Sequence, residues 1–344
     1  MNHPADHAAP PGGGSNRRFA TLIAVGLLGL LLLATVLLRQ APESAAQRGV
    51  VASIPPLHSL VSGVMAGVAT PELLLPGNTS PHSHTLRPSE NERFHNAALV
   101  IWVDPGVESM LPRMLALLAD EVVQLQVGRL PGVTRLPLRS GGLWRHEEHE
   151  EHAERAGNGA PAHAGHDADH GDGTDPHVWL DPQNAVVWVE AIAAQLATLD
   201  PEHGELYQRN AAQLVRRLRT LDADLRRRLA PVAGVPYLVY HDAYRYLEAR
   251  YGLSPAGSFT VTADRPVSAR RYAALRQLAR DGGVRCLFVE PQFPPQQAER
   301  LAGETGIRIA PLDPLGSDLT PGPELYFTLL ERLGDALVGC LGTG

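Results

Sequence analysis

The chain has 344 residues, 44% hydrophobic and 19% charged, a globular balance long enough for two domains of ordinary size. Its formal net charge of −7 gives a nucleic-acid partner no electrostatic support. The two cysteines, Cys286 and Cys340, both fall late in the chain, which suits one disulfide if the compartment is oxidising.

Arg17 and Arg18 precede residues 19–38, FATLIAVGLLGLLLLATVLL, which carry no charge. A positive stretch followed by an apolar core is the pattern of an export segment. A buried helix is the poorer reading, because nothing polar breaks the run. Its length is long for a signal peptide and sufficient to span a bilayer. Cleavage and retention as an N-terminal anchor therefore both stand. Ser44–Ala46 offer small residues for cleavage, which would leave Gln47 first. The absence of a nearby cysteine excludes a lipid anchor at a lipobox, and NRRF falls short of the full twin-arginine pattern.

From Gly49 onward strands and helices alternate. GVVASIPPLHSLVSGVMAG reads as strand, turn and helix, and residues 70–77 as a strand ending in Pro-Gly. ERFHNAALVIWV is a helix feeding an apolar strand, and EVVQLQV follows a helix at 107–119. Residues 139–175 break the pattern. They are rich in Gly, acids and histidine, offer no apolar face, and read as a disordered loop with one helical turn at 145–155. A helix over 183–199 and a second from Pro201 to Leu229 follow. Leu206, Leu214, Leu218, Leu221, Leu225 and Leu229 mark the second one's apolar stripe. The alternation then restarts, with strand ends near His241, Glu290 and Asp313 and a last helix over 323–341. The fold class predicted is α/β: two lobes with mostly parallel sheets, joined by one long helix. The corresponding organisation is a leader at 1–47, an N-terminal lobe at 48–200, a linking helix at 201–230 and a C-terminal lobe at 231–344.

Enzyme signatures are missing. There is no G-x-S-x-G, no P-loop and no G-x-G-x-x-G after a strand. HEEHEEH places His146, His149 and His152 at i, i+3 and i+6, whereas the zincin motif needs i and i+4. Three other histidines sit where an α/β fold gathers ligands: His82 in PGNTSPHSHTLRPSE, His177 in DPHVWLDP and His241 in LVYHDAYRY. Three imidazoles plus one oxygen make a tetrahedral zinc site, and imidazole suits zinc, copper or nickel better than calcium or magnesium. A single histidine in a loop is more often an ordinary hydrogen-bonded residue, and spacing alone does not decide the matter.

The segments LLLPGNTSPHSHTLRPSE, DPHVWLDP, YHDAYRYLE, FTV, VEPQF and LDPLG, in this order from Val50 to Leu341, resemble the periplasmic zinc-binding proteins of zinc-uptake ABC transporters. That resemblance implies two α/β lobes joined by a rigid helix, with the metal in the cleft between them. It implies ligands at His82, His177 and His241, an oxygen ligand at Asp313 or a water in its place, and a Cys286–Cys340 disulfide. Many zinc members carry an acid before the first histidine; here Pro81 stands there. His84 is a competing neighbour of His82. Manganese-specific relatives usually lack the histidine-rich insertion and have a carboxylate at the third position, so His241 and the insertion point to zinc. His146, His149, His152, His163, His166 and His170 would form an accessory collector, or else a solvated linker that binds metal incidentally. Glu290 and Asp242 are candidate partners that orient an imidazole, or simply a loop ion pair and a helix cap. Arg87–Ser89 reads as a helix N-terminus. The implied protein is a monomer that binds Zn²⁺, passes it to the membrane permease of an ABC importer, and makes or breaks no bond. Alternatives are a binding protein for manganese, copper or nickel, and a zinc-dependent hydrolase using the same histidines.

Overall fold

In a computed structural model of the chain, the structure describes residues 49–118, 122–144, 173–260 and 267–342. The apolar segment 19–38, the turn expected at 145–155 and the six histidines from His146 to His170 lie outside the described residues.

Two four-stranded parallel sheets carry the fold. The first holds β1 (Val50–Ala52), β2 (Glu72–Leu73), β3 (Leu99–Trp102) and β4 (Val123–Gln126), in the order β2-β1-β3-β4. The second holds β5 (Pro236–His241), β6 (Ser254–Thr260), β7 (Cys286–Val289) and β8 (Arg308–Pro311), in the order β6-β5-β7-β8. Both therefore reverse direction between their first and third strands, β1 and β3 in one and β5 and β7 in the other. Such a switch point leaves a crevice beyond the strands' carboxyl ends. Val50–Ala52 and Leu99–Trp102 are buried at every position, as expected for parallel strands covered on both faces.

The helices are α1 (Pro55–Val64), α2 (Pro88–Asn96), α3 (Leu111–Leu115), α4 (Pro182–Leu199), α5 (Gly204–Leu229), α6 (Arg245–Tyr251), α7 (Ala269–Asp281), α8 (Gln296–Thr305) and α9 (Leu325–Leu341). Helix α5 has 26 residues and is about 39 Å long at 1.5 Å per residue. It packs on α1, α4 and α9. Gly334 of α9 permits a close crossing, since a Cβ there would lie 2.7 Å from Leu225 Cδ2. Helix α9 also packs on α1, so the last helix returns to the first lobe. The result is one continuous core from the first sheet, through these helices, to one face of the second sheet. Strand alternation explains the rest: Tyr237, Val239, Cys286 and Phe288 join that core, while Leu238, Tyr240 and Leu287 face a smaller cluster with Phe259, Leu275 and Leu301. Cys286 and Cys340 form a disulfide that ties β7 to α9 across a separation of 54 residues, a loop for which chain entropy gives about 4 kcal/mol of stabilisation.

Several expected elements are shorter. The strand at 70–77 is reduced to Glu72–Leu73; Pro71 and Pro76 bracket it and supply no amide donors. The helix at 107–119 is reduced to Leu111–Leu115, with Pro112 in its first turn. Pro201–His203 form a 3₁₀ turn before α5 begins. The α5 stripe is buried from Leu214 to Leu229, with Tyr207 rather than Leu206 at its start. The largest departure concerns 139–144 and 173–175, expected in a disordered loop. These residues belong to the fold. Pro137 and Thr174 form an antiparallel bridge, Leu138 N donates to Gly173 O at 2.9 Å, and Arg139 is bound to two buried carboxylates.

Candidate metal site

His82, His177 and His241 come from three distant segments and meet at one point. Each offers one ring nitrogen, and these nitrogens all lie within 4.8 Å of one another. His82 Nε2 and His177 Nε2 are 3.2 Å apart. Ring centroids are separated by 5.2 Å (His82–His177), 5.4 Å (His82–His241) and 4.9 Å (His177–His241). They line a cleft of about 270 Å³ with Trp179, Glu290, Gln292 and Phe293. Among the described residues this is the one grouping of three or more His, Cys, Asp or Glu side chains able to share an ion.

Each histidine is placed by its local chain. His241 is the last residue of β5, at the carboxyl end beside the β5/β7 switch point. His177 begins the short turn Val178–Leu180, which leads to Asp181; that side chain accepts from Gln183 N at 2.9 Å and caps α4, with Pro182 in its first turn. His82 lies in the irregular stretch between β2 and α2, folded back over the end of β3. Its Nδ1 contacts Gly106 O at 2.8 Å, and its own carbonyl accepts from Ser109 Oγ at 3.1 Å. Gly106 gives the close approach there, because a Cβ would lie 3.0 Å from Pro176 Cβ.

These contacts set the tautomers. A carbonyl oxygen can only accept, so His82 Nδ1 donates to it and Nε2 keeps its lone pair. His177 Nδ1 likewise donates to Asp175 Oδ1 at 2.9 Å, and the same oxygen accepts from His177 N. Both Nε2 lone pairs therefore face the common point. His241 Nδ1 lies 3.6 Å from Glu290 Oε2, so its other nitrogen is the one left for the cleft. Backing a ring nitrogen with a carboxylate or carbonyl fixes its orientation and raises its basicity.

The wall behind His241 is strongly charged. Arg139 Nη1 donates to Asp242 Oδ1 at 2.7 Å, and Nη2 pairs with Glu248. The guanidinium also lies over the Trp144 ring at 4.2 Å. Tyr237 Oη donates to Glu248 Oε1 at 2.9 Å. Burial pushes Asp175 and Asp242 up to about 6 and Glu248 up to about 7, with Arg139 pulling the other way. Burial opposes charging of His241, but Glu290, Asp242 and Asp175 outweigh it and raise its pKa. Next to Ser109 in the chain, burial likewise pushes Glu108 up to about 7; it accepts from Ser53 Oγ and from the amides of Val103 and Asp104.

Other residues singled out by sequence take different places. His84 is not in the triad: its Nε2 contacts Glu90 Oε2 at 3.0 Å and its Nδ1 contacts Thr79 Oγ1 at 3.3 Å. Asp313, expected as a fourth oxygen ligand, is not brought into the group either. Its Oδ1 accepts from Leu315 N (2.9 Å) and Gln292 Nε2 (2.9 Å), and its Oδ2 from Ser317 N (2.6 Å), so it holds the turn after β8. Pro88 opens α2 with Arg87 as N-cap, and Glu90 accepts from Arg87 N at 2.7 Å; Ser89 does not cap. Sequence reasoning missed Asp175, Gly106, Arg139 and Gln292. Only Asp175 had a readable signal, an Asp two residues before a functional residue in DPH, the spacing of an Asx turn.

The family model described as ZnuA, zinc-uptake complex component A, periplasmic, matches residues 50–340. The high-affinity zinc uptake system protein ZnuA of Brucella abortus (strain 2308) is 36% identical over 307 residues, covering 86% of this chain and 92% of that protein. Its namesake from Paracoccus denitrificans (strain Pd 1222) is 37% identical over 307 residues, covering 88% and 94%. A crystal structure of ZnuA shares the fold with a TM-score of 0.69 at 22% identity, over 86% of this chain and 99% of that one.

Proposed function

This chain belongs to the ZnuA family of periplasmic A components of zinc-uptake complexes, and we propose that it captures Zn²⁺ on His82, His177 and His241. It then delivers the ion to the membrane permease of an ABC importer. The observation that carries the ligand set is the 3.2 Å separation of two Nε2 atoms whose rings both donate from the opposite nitrogen. Nitrogens around a tetrahedral zinc at about 2.0–2.1 Å lie about 3.3 Å apart. Two lone pairs facing each other at that distance repel, and a shared cation resolves the repulsion.

The family is a binding component and not an enzyme, so the hydrolase alternative falls. Zinc is favoured over manganese because all three side chains offer nitrogen and none offers a hard oxygen. We read the chain as exported by residues 19–38 and monomeric, either freed after Ala46 or held by that segment as an anchor. For this role we divide it into a leader at 1–47, lobes at 48–200 and 231–344, and a linking helix at 201–230. Among the described residues no helix is long and apolar enough to cross a membrane. His146, His149, His152, His163, His166 and His170 are read as a tethered collector of weak sites, since covalent attachment to the same chain raises their effective concentration near the cleft.

The test is a chelator-competition titration of the chain lacking residues 146–170, with and without His241→Ala. The deletion alone is expected to spare tight binding and the added substitution to abolish it. Undiminished affinity in the combined variant sinks the ligand assignment. Competition with Mn²⁺, Cu²⁺ and Ni²⁺ in the same assay decides the metal.

A further inference from the structure

The cleft wall contains buried polar atoms that the protein does not satisfy. Glu290 Oε1, Gln292 Oε1 and Ser80 Oγ are buried without a hydrogen-bond partner, and all three residues line the cavity shared by the histidines. Native proteins leave few such atoms orphaned, and an orphan commonly marks a missing water or ion. Two of these three are acceptors only.

The three do not have equal prospects. Glu290 is placed behind His241, with Oε2 on the Nδ1 side of the ring. The two nitrogens of an imidazole point in different directions, so a group on Nδ1 stands away from an ion held by the other nitrogen. Gln292 is different. Its Nε2 donates to Gly77 O at 2.9 Å and to Asp313 Oδ1 at 2.9 Å. Both partners accept, so the amide nitrogen must face them and the carbonyl oxygen is the atom left toward the cleft. Asp313 is itself fixed by the amides of Leu315 and Ser317. A chain of contacts thus runs from the turn after β8, through Asp313, to the direction of one amide.

Resting on the reading that the three histidines bind zinc, we propose that Gln292 Oε1 completes the site by accepting a hydrogen bond from the water that takes zinc's fourth position. Asp313 is a positioning residue that aims Gln292, rather than a ligand. Three imidazoles leave one tetrahedral position open. A water there has two protons to place, and a low-dielectric wall makes an unplaced one costly. The amide oxygen receives one of them without adding a charge to the site.

The test uses the full chain and its Gln292→Leu, Asp313→Asn and double variants. Zn²⁺ affinity is read by chelator competition. Visible spectra of the Co²⁺-loaded protein are read against pH, because they report ionisation of the bound water. Gln292→Leu is expected to weaken zinc roughly tenfold and to move the spectral transition to lower pH, since the water, with two protons to place, loses an acceptor that a hydroxide needs less. Asp313→Asn is expected to show a smaller change in the same direction, and the double variant to match Gln292→Leu. An unchanged affinity and transition in Gln292→Leu overturns the inference. So does a loss in Asp313→Asn that exceeds and adds to that of Gln292→Leu, which would make Asp313 a ligand. Tight zinc retained by His241→Ala instead overturns the triad reading beneath it.

Discussion

His82 and His241, two of the three proposed ligands, converge on one point from supports of opposite kinds. His82 sits on irregular chain, and its contacts with the carbonyl of Gly106 and the hydroxyl of Ser109 are to neutral groups; the neighbouring turn is pinned by His84, which contacts Thr79 and Glu90. His241 terminates a central strand hydrogen-bonded on both sides and is backed by Glu290, with Asp242 and Arg139 alongside. Two further buried carboxylates differ in the same way: Glu108 accepts from a hydroxyl and two amides, whereas Glu248 pairs with a guanidinium. One arm is positioned by dipoles that cost little to rearrange, the other by charges that are expensive to separate in a buried setting. The difference teaches that side chains of one ligand chemistry can be held in place by contacts of unequal energetic cost.

Four experiments break or sharpen that contrast. Removing either ligand has the largest effect: His82→Ala and His241→Ala are each expected to weaken zinc by more than about 100-fold, beyond the range for outer partners, in chelator competition. Next, Arg139→Met leaves Asp242 and Glu248 buried without their cation and is expected to cost about 3 kcal/mol in urea unfolding of the metal-free protein, whereas Ser109→Ala on the other arm costs about 1 kcal/mol or less. The third concerns pH. Glu108 and Glu248 have folded pKa values of about 7, raised from 4.5. The folded state therefore holds their protons more tightly than the unfolded one. Their stabilisation is full below about 4.5 and is lost as pH rises through 7, by about 1.4 kcal/mol per pH unit for each group within that window. Unfolding of the metal-free protein at pH 5 and pH 8 checks this, and Glu248→Gln is expected to flatten the profile. Zinc affinity moves oppositely: His241's raised pKa means that protons displace the metal as pH falls through it. The smallest effect is expected for His84→Ala, which frees the turn carrying His82 at about 1 kcal/mol, or roughly fivefold in affinity.

Much of the scaffold was readable because burial leaves a mark on residue type. LVIW and CLFV could only be covered strands, and the leucine spacing of α5 had only one helical reading. Helix and strand ends were less readable where proline intervened, as at Pro71, Pro76 and Pro112. The three histidines could be picked out because His241 ends an apolar run, His177 opens one, and His82 follows the Pro-Gly that closes a predicted strand. What could not be read was which groups stand behind them. Gly106 contributes only a carbonyl, which every residue has. Arg139 lies in a stretch whose composition resembles solvated linker, and its partners are 103 and 109 residues further on. The role of Asp313, with water as the alternative at the fourth position, was left open for a related reason: a carboxylate at a strand end serves equally as a ligand or as an acceptor for the next turn's amides.

The bridge between Pro137 and Thr174, with Leu138 N bonded to Gly173 O, has a consequence for engineering. It staples Leu138 to Gly173, two residues before Asp175 and four before His177, so the chain re-enters the fold held in place beside the site. Trp144 and Gly173 are each held by the fold, so flexible chain inserted between them adds only loop-closure entropy, about 0.6 kcal/mol per doubling of length. This is a port in the chain where a fluorescent domain or an affinity tag can be spliced in, a short step from the cleft, with the coordinates of the ligands left as they are.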